Sequence, residues 1–412
     1  MKNISRIILI LLVISVSITV FPLKTSAAST HYGKPHTNDI LNVRNGSLTN
    51  GRENVILNGV NLGGWLLMET WMSPVKDENE EMAYSDVVTI LTERFGRFKA
   101  MELIGVYENN FITETDFANI ERLGFNCVRI PFWYGNFMTD DFEWLTYDTD
   151  DNPGFRRLDF ALSMCDKYNL YAILDMHGCP GGQSMNHSTG SIGKGELYHN
   201  EKNLVAMERI WTEIAKRYKD RACIAAYDIM NEPFNNTGYD VSQAESPEAI
   251  SLTISVYDRM IKAIRKIDNK HIISIEGVWT TNILPDPKTY RWTNMMYQMH
   301  IYDRNKPMIA KRISELTESV RKYNVAPLIG EYNNSPFEKY ATEAYSNNNI
   351  SRIKWTYKTV GTDLGNWGLY NKSVTKTDIK SASFGEIKTA FGNTMQTENG
   401  FVFNEEEYEN IK

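Results

Sequence analysis

The sequence predicts a single α/β domain folded as a (β/α)₈ barrel. Three observations predict it: eight short β-rich runs, helical patterns between them, and a length that suits one barrel. The chain has 412 residues, 42% apolar and 12% aromatic, enough for one large core. The runs are 56–62, 127–132, 172–177, 224–231, 272–276, 296–302, 327–331 and 353–357, and eight is the strand count a closed barrel requires. Periodicity does not show closure, so a doubly wound open sheet is the alternative architecture.

The elements follow from local chemistry. Residues 41–57 form two short extended runs around Asn45-Gly46 and Asn50-Gly51, a hairpin pattern ahead of the main fold that is expected to cover the barrel bottom. Thr113 and Asp116 make a capping box for Phe117, Ile120 and Leu123, and Gly124 closes that helix just before the second strand. Ser246 then Pro247 reads as N-cap and first helical position, with Ile250, Ile254, Tyr257, Ile261 and Ile264 as an inward face. The acidic tail after Asn404 is expected to fray.

At the start, Lys2 and Arg6 precede an apolar run over 7–21, closed by Pro22 and by the small residues Ser26-Ala27-Ala28. This is the pattern of an export signal over 1–28, leaving 29–412 as one catalytic domain of a secreted protein. The run is shorter than the ~20 residues of a spanning helix, so no membrane association is expected after cleavage. A net charge of −7 argues against nucleic acid as a partner, which would call for clustered Lys and Arg. Cys127, Cys165, Cys179 and Cys223 lack the short paired spacings of a zinc site and are expected mostly as free thiols. No metal or cofactor is implied, and a monomer is expected.

Ligand-facing groups of a barrel gather at the C-terminal strand ends. Arg129 ends the second run, Asp175 and His177 the third, Asn231 and Glu232 the fourth, His300 and Tyr302 the sixth, and Glu331 the seventh. Singly, each is more often a cap or a satisfied structural residue; together on one rim they are costly to bury without function. Glycosidic cleavage needs two carboxylates, one protonated to serve the leaving oxygen and one ionised to attack the anomeric carbon. Glu232 and Glu331 can meet across the barrel mouth in those roles, with Arg129 and Tyr302 orienting Glu331 and Asn231 reaching a sugar 2-hydroxyl. Trp133, Tyr134, Trp279, Trp292, Trp355, Tyr357 and Trp367 follow or end strand runs, and about half are expected to stack on sugar rather than fill the core.

An ordered set of motifs carries a family resemblance: GVNLGGWL from Gly59, NCVRIP from Asn126, LDMHGCPGGQS from Leu174, DIMNEP from Asp228, MHIYD from Met299 and LIGEY from Leu328. The chain resembles glycoside hydrolase family 5, the cellulase and β-glucanase family of retaining barrel enzymes. The resemblance implies Glu232 as acid/base and Glu331 as nucleophile, with Arg129, His177, Asn231, His300 and Tyr302 around the sugar. The wording NLGGWLLMETW and MHGCPGGQS is nearest to the exo-β-1,3-glucanase branch, in which the glutamate matching Glu69 contacts the terminal sugar. The eighth-strand motif departs from that branch, reading Trp355-Thr356-Tyr357-Lys358, so Tyr357, Trp355 or Trp367 is the sugar platform. The implied activity is hydrolysis of a β-1,3- or β-1,4-linked glucan. The alternatives are a glucan-remodelling transglycosylase and an inactive carbohydrate-binding surface protein.

Overall fold

The computed structural model describes residues 39–79, 82–233, 246–361, 365 and 367–412. The export signal expected over 1–28 lies outside the described residues. Eight parallel strands close into a barrel in the order β4 (Asn58–Asn61), β5 (Cys127–Trp133), β6 (Tyr171–Gly178), β7 (Ile224–Asp228), β8 (Ile272–Glu276), β9 (Met295–Ile301), β10 (Ala326–Tyr332) and β11 (Ser351–Lys354). Closure comes from β11 pairing with β4, Arg352 beside Asn58 and Lys354 beside Val60. The eight predicted runs match these strands, and the open-sheet alternative is excluded.

Beneath the barrel, β1 (Asn42–Arg44), β2 (Ser47–Thr49) and β3 (Asn54–Val55) form a small antiparallel sheet, one strand more than the predicted hairpin. Leu41, Leu48, Val55 and Leu57 pack on Cys127, Tyr171, Ile173, Met296, Leu328 and Ile353, the inward residues at the strand starts. Each such buried aliphatic side chain contributes roughly 1.5–3 kcal/mol, and together they stopper the lower end. The lower end of the barrel interior is therefore apolar.

The predicted caps form. Ser246 Oγ accepts the Ala249 N–H at 3.3 Å with Pro247 in the first turn, and Asp116 Oδ2 accepts the Thr113 N–H at 2.7 Å. Two helices precede the capped one, Tyr84–Phe95 and Arg97–Phe111, hinged at Gly96 with φ +81°. All four cysteines are buried free thiols.

Two expectations are corrected. The tail after Asn404 is a helix, Glu405–Ile411, rather than frayed chain. Its Glu407 lies 2.5 Å from Lys354 Nζ, which also bonds Glu338 at 2.8 Å. Lys354 ends the last barrel strand fully buried, and a buried ammonium requires partners of opposite charge. The second correction concerns the eighth strand, which stops at Lys354. The chain then leaves the barrel, and β12 (Lys358–Val360) joins β13 (Tyr370–Lys372) and β14 (Val402–Phe403) in a separate sheet.

Candidate active site

Arg129 organises the upper end. It is fully buried on β5, and its planar fork meets five acceptors: Asp228 Oδ2 from Nε at 2.9 Å, Asn61 Oδ1 and Glu331 Oε1 from Nη1 at 3.1 and 2.8 Å, Asn231 Oδ1 and Asp175 Oδ2 from Nη2 at 2.8 and 3.1 Å. Burial opposes its charge, but Asp175, Asp228 and Glu331 outweigh burial and raise its pKa. Arginine suits this task, since guanidinium presents five N–H donors in a rigid fork.

Glu331 comes from β10, whose register shifts between Ile329 and Glu331. Gly330 permits the bulge: a Cβ there would stand 1.9 Å from Gln298 Oε1. Glu331 is 4% exposed, with Arg129 on Oε1 and the Tyr302 hydroxyl donating to Oε2 at 2.7 Å. A cation and a phenol thus face one carboxylate.

Glu232 lies just past β7 in the left-handed region, φ +38°, which is uncommon for a residue with a side chain. Its N–H donates to Glu276 Oε2 at 2.9 Å, and His300 Nδ1 stands 2.9 Å from its Oε1. No Lys or Arg pairs with it among the described residues, and burial pushes its carboxyl up to about 7, with Glu69 adding to the rise against His177. His300 Nδ1 is also 3.5 Å from Glu331 Oε2. One ring nitrogen therefore bridges both carboxylates, and burial drops that imidazole to about 3, leaving it neutral.

His177 stands on β6, with Nδ1 2.7 Å from Asp175 Oδ2 and Nε2 3.3 Å from Asn231 Nδ2. Burial lowers its basicity, but Asp175 outweighs burial and its pKa is raised. The Trp355 ring stacks on it at 5.3 Å and 11°.

Above this floor is a cavity of about 630 Å³, lined by Glu69, Trp71, His177, His187, Ser188, Glu232, Trp279, Tyr302, Arg304, Glu331, Trp355 and Trp367. Glu69 Oε2 accepts the Trp71 indole N–H at 2.8 Å and lies 3.3 Å from His187 Nε2. Burial works against the Glu69 charge, yet His187 and Trp71 hold its pKa below the usual value. Trp367 packs between Trp71 and Tyr302 at 5.4 and 5.9 Å, and Trp279 meets Tyr302 edge-on at 6.1 Å.

Of the sequence-predicted residues, Glu69, His177, Glu232, Tyr302, Glu331 and Trp367 line the cavity, while Arg129, Asn231 and His300 form the floor beneath it. Tyr357 does neither. Its hydroxyl donates to Asp116 Oδ1 at 3.0 Å and its ring packs on Tyr370, because the chain has turned out of the barrel by that point. The platform candidates that reach the cavity are Trp355 and Trp367. Trp133, Tyr134 and Trp292 belong to the core, and Trp279 to the cavity. Sequence reasoning missed Trp71, His187, Ser188 and Arg304, which sit on single 3-10 turns or loops between the strands and helices, and Glu276, whose only signal was its place ending an apolar strand. Glu232, Glu276 and His300 also form a compact buried donor set of the kind that could hold a metal ion, although two of its members are engaged with Glu331 or the Glu232 backbone.

Known proteins resemble this chain. The family model described as cellulase, glycosyl hydrolase family 5, matches residues 88–392. A β-xylosidase of Phanerodontia chrysosporium is 30% identical over 262 residues, 60% of this chain and 48% of the relative. A probable glucan 1,3-β-glucosidase A of Neosartorya fischeri is 31% identical over 221 residues, 52% of this chain and 48% of the relative. The chain thus spans about half the length of the curated relatives it matches. Among solved structures, a rutinosidase from Aspergillus niger superposes with TM-score 0.56 at 16% identity, covering 82% of this chain and 97% of that one. A broad-specificity endoglucanase from Clostridium longisporum gives 0.55 at 15% identity, covering 87% and 97%. At such identities the structural likeness establishes the barrel fold alone. The match of the family model over most of the chain places this protein in glycosyl hydrolase family 5.

Proposed function

We propose that the protein hydrolyses β-linked glucans by retaining double displacement, with Glu331 as nucleophile and Glu232 as acid/base. The observation that carries this reading is the unequal pair of carboxylates around His300. Their oxygens lie 2.9 and 3.5 Å from one nitrogen, which holds the two carboxylates close together, in keeping with the ~5 Å separation of retaining enzymes. Glu331, facing Arg129 and Tyr302, forms the glycosyl-enzyme bond as the glycosidic bond breaks. Glu232 gives its proton to the departing oxygen, then takes one from the water that attacks the anomeric carbon and releases the sugar.

A glucan as substrate is supported by the aromatic walls, which suit the C–H faces of pyranose rings, and by the glucan 1,3-β-glucosidase relatives. Glu69 and His187 reach the cavity after the first and third barrel strands, opposite Trp279 and Arg304 after the fifth and sixth, and supply hydroxyl-binding groups on one side. The scheme requires no cofactor. We further propose that residues 1–28 are removed on export; N-terminal sequencing of the secreted protein, starting near Ala28 or Ser29, checks this.

The test of the chemistry is the anomeric configuration of the first product, read by proton NMR during hydrolysis of a β-glucan oligosaccharide. Initial release of the β-anomer is expected. Initial release of the α-anomer would exclude double displacement.

A further inference from the structure

Glu276 ends β8 fully buried, and no step of the scheme above uses it. Its Oε2 accepts the Glu232 N–H at 2.9 Å. Among the described residues, its Oε1 has no hydrogen-bond partner and faces His300 Nε2, also without one, across 3.5 Å. Two buried polar atoms opposed in this way share a hydrogen, since leaving both unpaired costs each its desolvation. The question is which atom carries it.

The far side of the imidazole decides. His300 Nδ1 faces Glu232 Oε1 at 2.9 Å and Glu331 Oε2 at 3.5 Å. A lone pair on Nδ1 would oppose the Glu331 carboxylate and would draw the Glu232 proton onto Oε1. A hydrogen on Nδ1 satisfies both oxygens. A neutral imidazole has one N–H, so Nε2 is the acceptor and Glu276 supplies the hydrogen. Charge agrees, because Arg129, the nearest guanidinium, is taken by Asp175, Asp228 and Glu331. Among the described residues, the groups facing Glu276 are Glu232 and Asp228 from β7 and its loop, Arg129 from β5, His300 from β9, and Tyr257, whose hydroxyl bonds the Glu276 main chain.

We propose that Glu276 is a protonated positioning residue: its Oε1–H donates to His300 Nε2, fixes the Nδ1–H tautomer, and thereby reserves Glu232 Oε2 to carry the proton delivered to the leaving oxygen. Burial supports this by pushing the Glu276 carboxyl well above its usual range, with Glu232 and Asp228 adding to the rise. The second contact, to the Glu232 N–H, anchors the backbone that presents the acid. Glu276 never touches substrate in this scheme. It acts through His300 and through the Glu232 main chain.

The proposal rests on Glu232 being the acid/base, and its test separates the two. Nitrogen-15 NMR of histidine-labelled protein, with His300 assigned by a His300→Gln variant, reads the tautomer without reference to activity. Wild type is expected to show His300 as Nδ1–H. Glu276→Gln keeps a donor for Nε2 and an acceptor for the Glu232 N–H, so the tautomer should persist and kcat should stay within about threefold. Glu276→Leu should lose the tautomer and lower kcat by about tenfold or more with KM little changed. An Nε2–H His300 in wild type, or a Glu276→Gln variant as slow as Glu276→Leu, would overturn the proposal; should the leucine variant not fold, the first two measurements still decide. A Glu232→Gln variant with wild-type turnover of an unactivated glycoside would instead remove the acid/base reading and leave the tautomer result standing.

Discussion

The end of β10 and the ends of β7 and β8 hold the same side chain in opposite surroundings. At β10, Glu331 receives Arg129 on one oxygen and the Tyr302 hydroxyl on the other. Past β7, Glu232 has a neutral imidazole, a second glutamate behind its backbone and no cation at ion-pair distance among the described residues. Burial pushes the Glu232 carboxyl up to about 7, whereas Glu331 has a guanidinium and a phenol facing its two oxygens. In the proposed mechanism, the difference between the two roles comes from which strand end carries the guanidinium, not from the glutamates themselves.

The comparison can be broken from either side. Glu331→Gln removes the attacking oxygen and is expected to cost roughly 10⁴-fold or more in kcat while circular dichroism and melting stay close to wild type. Glu232→Gln is expected to cost about 10²- to 10⁴-fold on a natural glucan, yet to leave the first step on a dinitrophenyl glycoside nearly intact, because that leaving group needs no proton. Activity on unactivated substrates should decline as pH rises through about 7, where Glu232 loses its proton. Arg129→Met makes the two ends alike by stranding Glu331, Asp175 and Asp228; thermal melts should show a loss of about 3–5 kcal/mol. The wall is less critical: Trp367→Ala should raise KM roughly threefold to tenfold. Tyr357→Phe should leave KM unchanged, since it removes only the bond to Asp116.

Much of this asymmetry was legible in the sequence because strands present side chains in fixed alternation. An apolar run ending in Arg129, His177, Glu232 or Glu331 says both that the residue is near the mouth and which face it uses. Glu276 was overlooked because a lone glutamate ending an apolar strand carries no sign of its partners, which arrive from β7 and β9. The walls were less legible still. Trp71, His187 and Arg304 sit on single 3-10 turns or loops whose paths depend on packing rather than on a period. Tyr357 misled for a related reason: its neighbours in sequence end a barrel strand, but pairing of β12 with β13 takes it out of the barrel. The helix at the C-terminus was unreadable from an acidic tail whose stabilising partner, the buried Lys354, is more than fifty residues earlier.

Carbon-13 NMR of protein labelled at the glutamate side-chain carboxyl, titrated in wild type, Glu232→Gln and Glu331→Gln, tests the account most directly. One glutamate signal should titrate with a midpoint near 7, vanish in Glu232→Gln, and survive in Glu331→Gln. If that signal vanishes in Glu331→Gln and survives in Glu232→Gln, the roles assigned to the two strand ends are reversed.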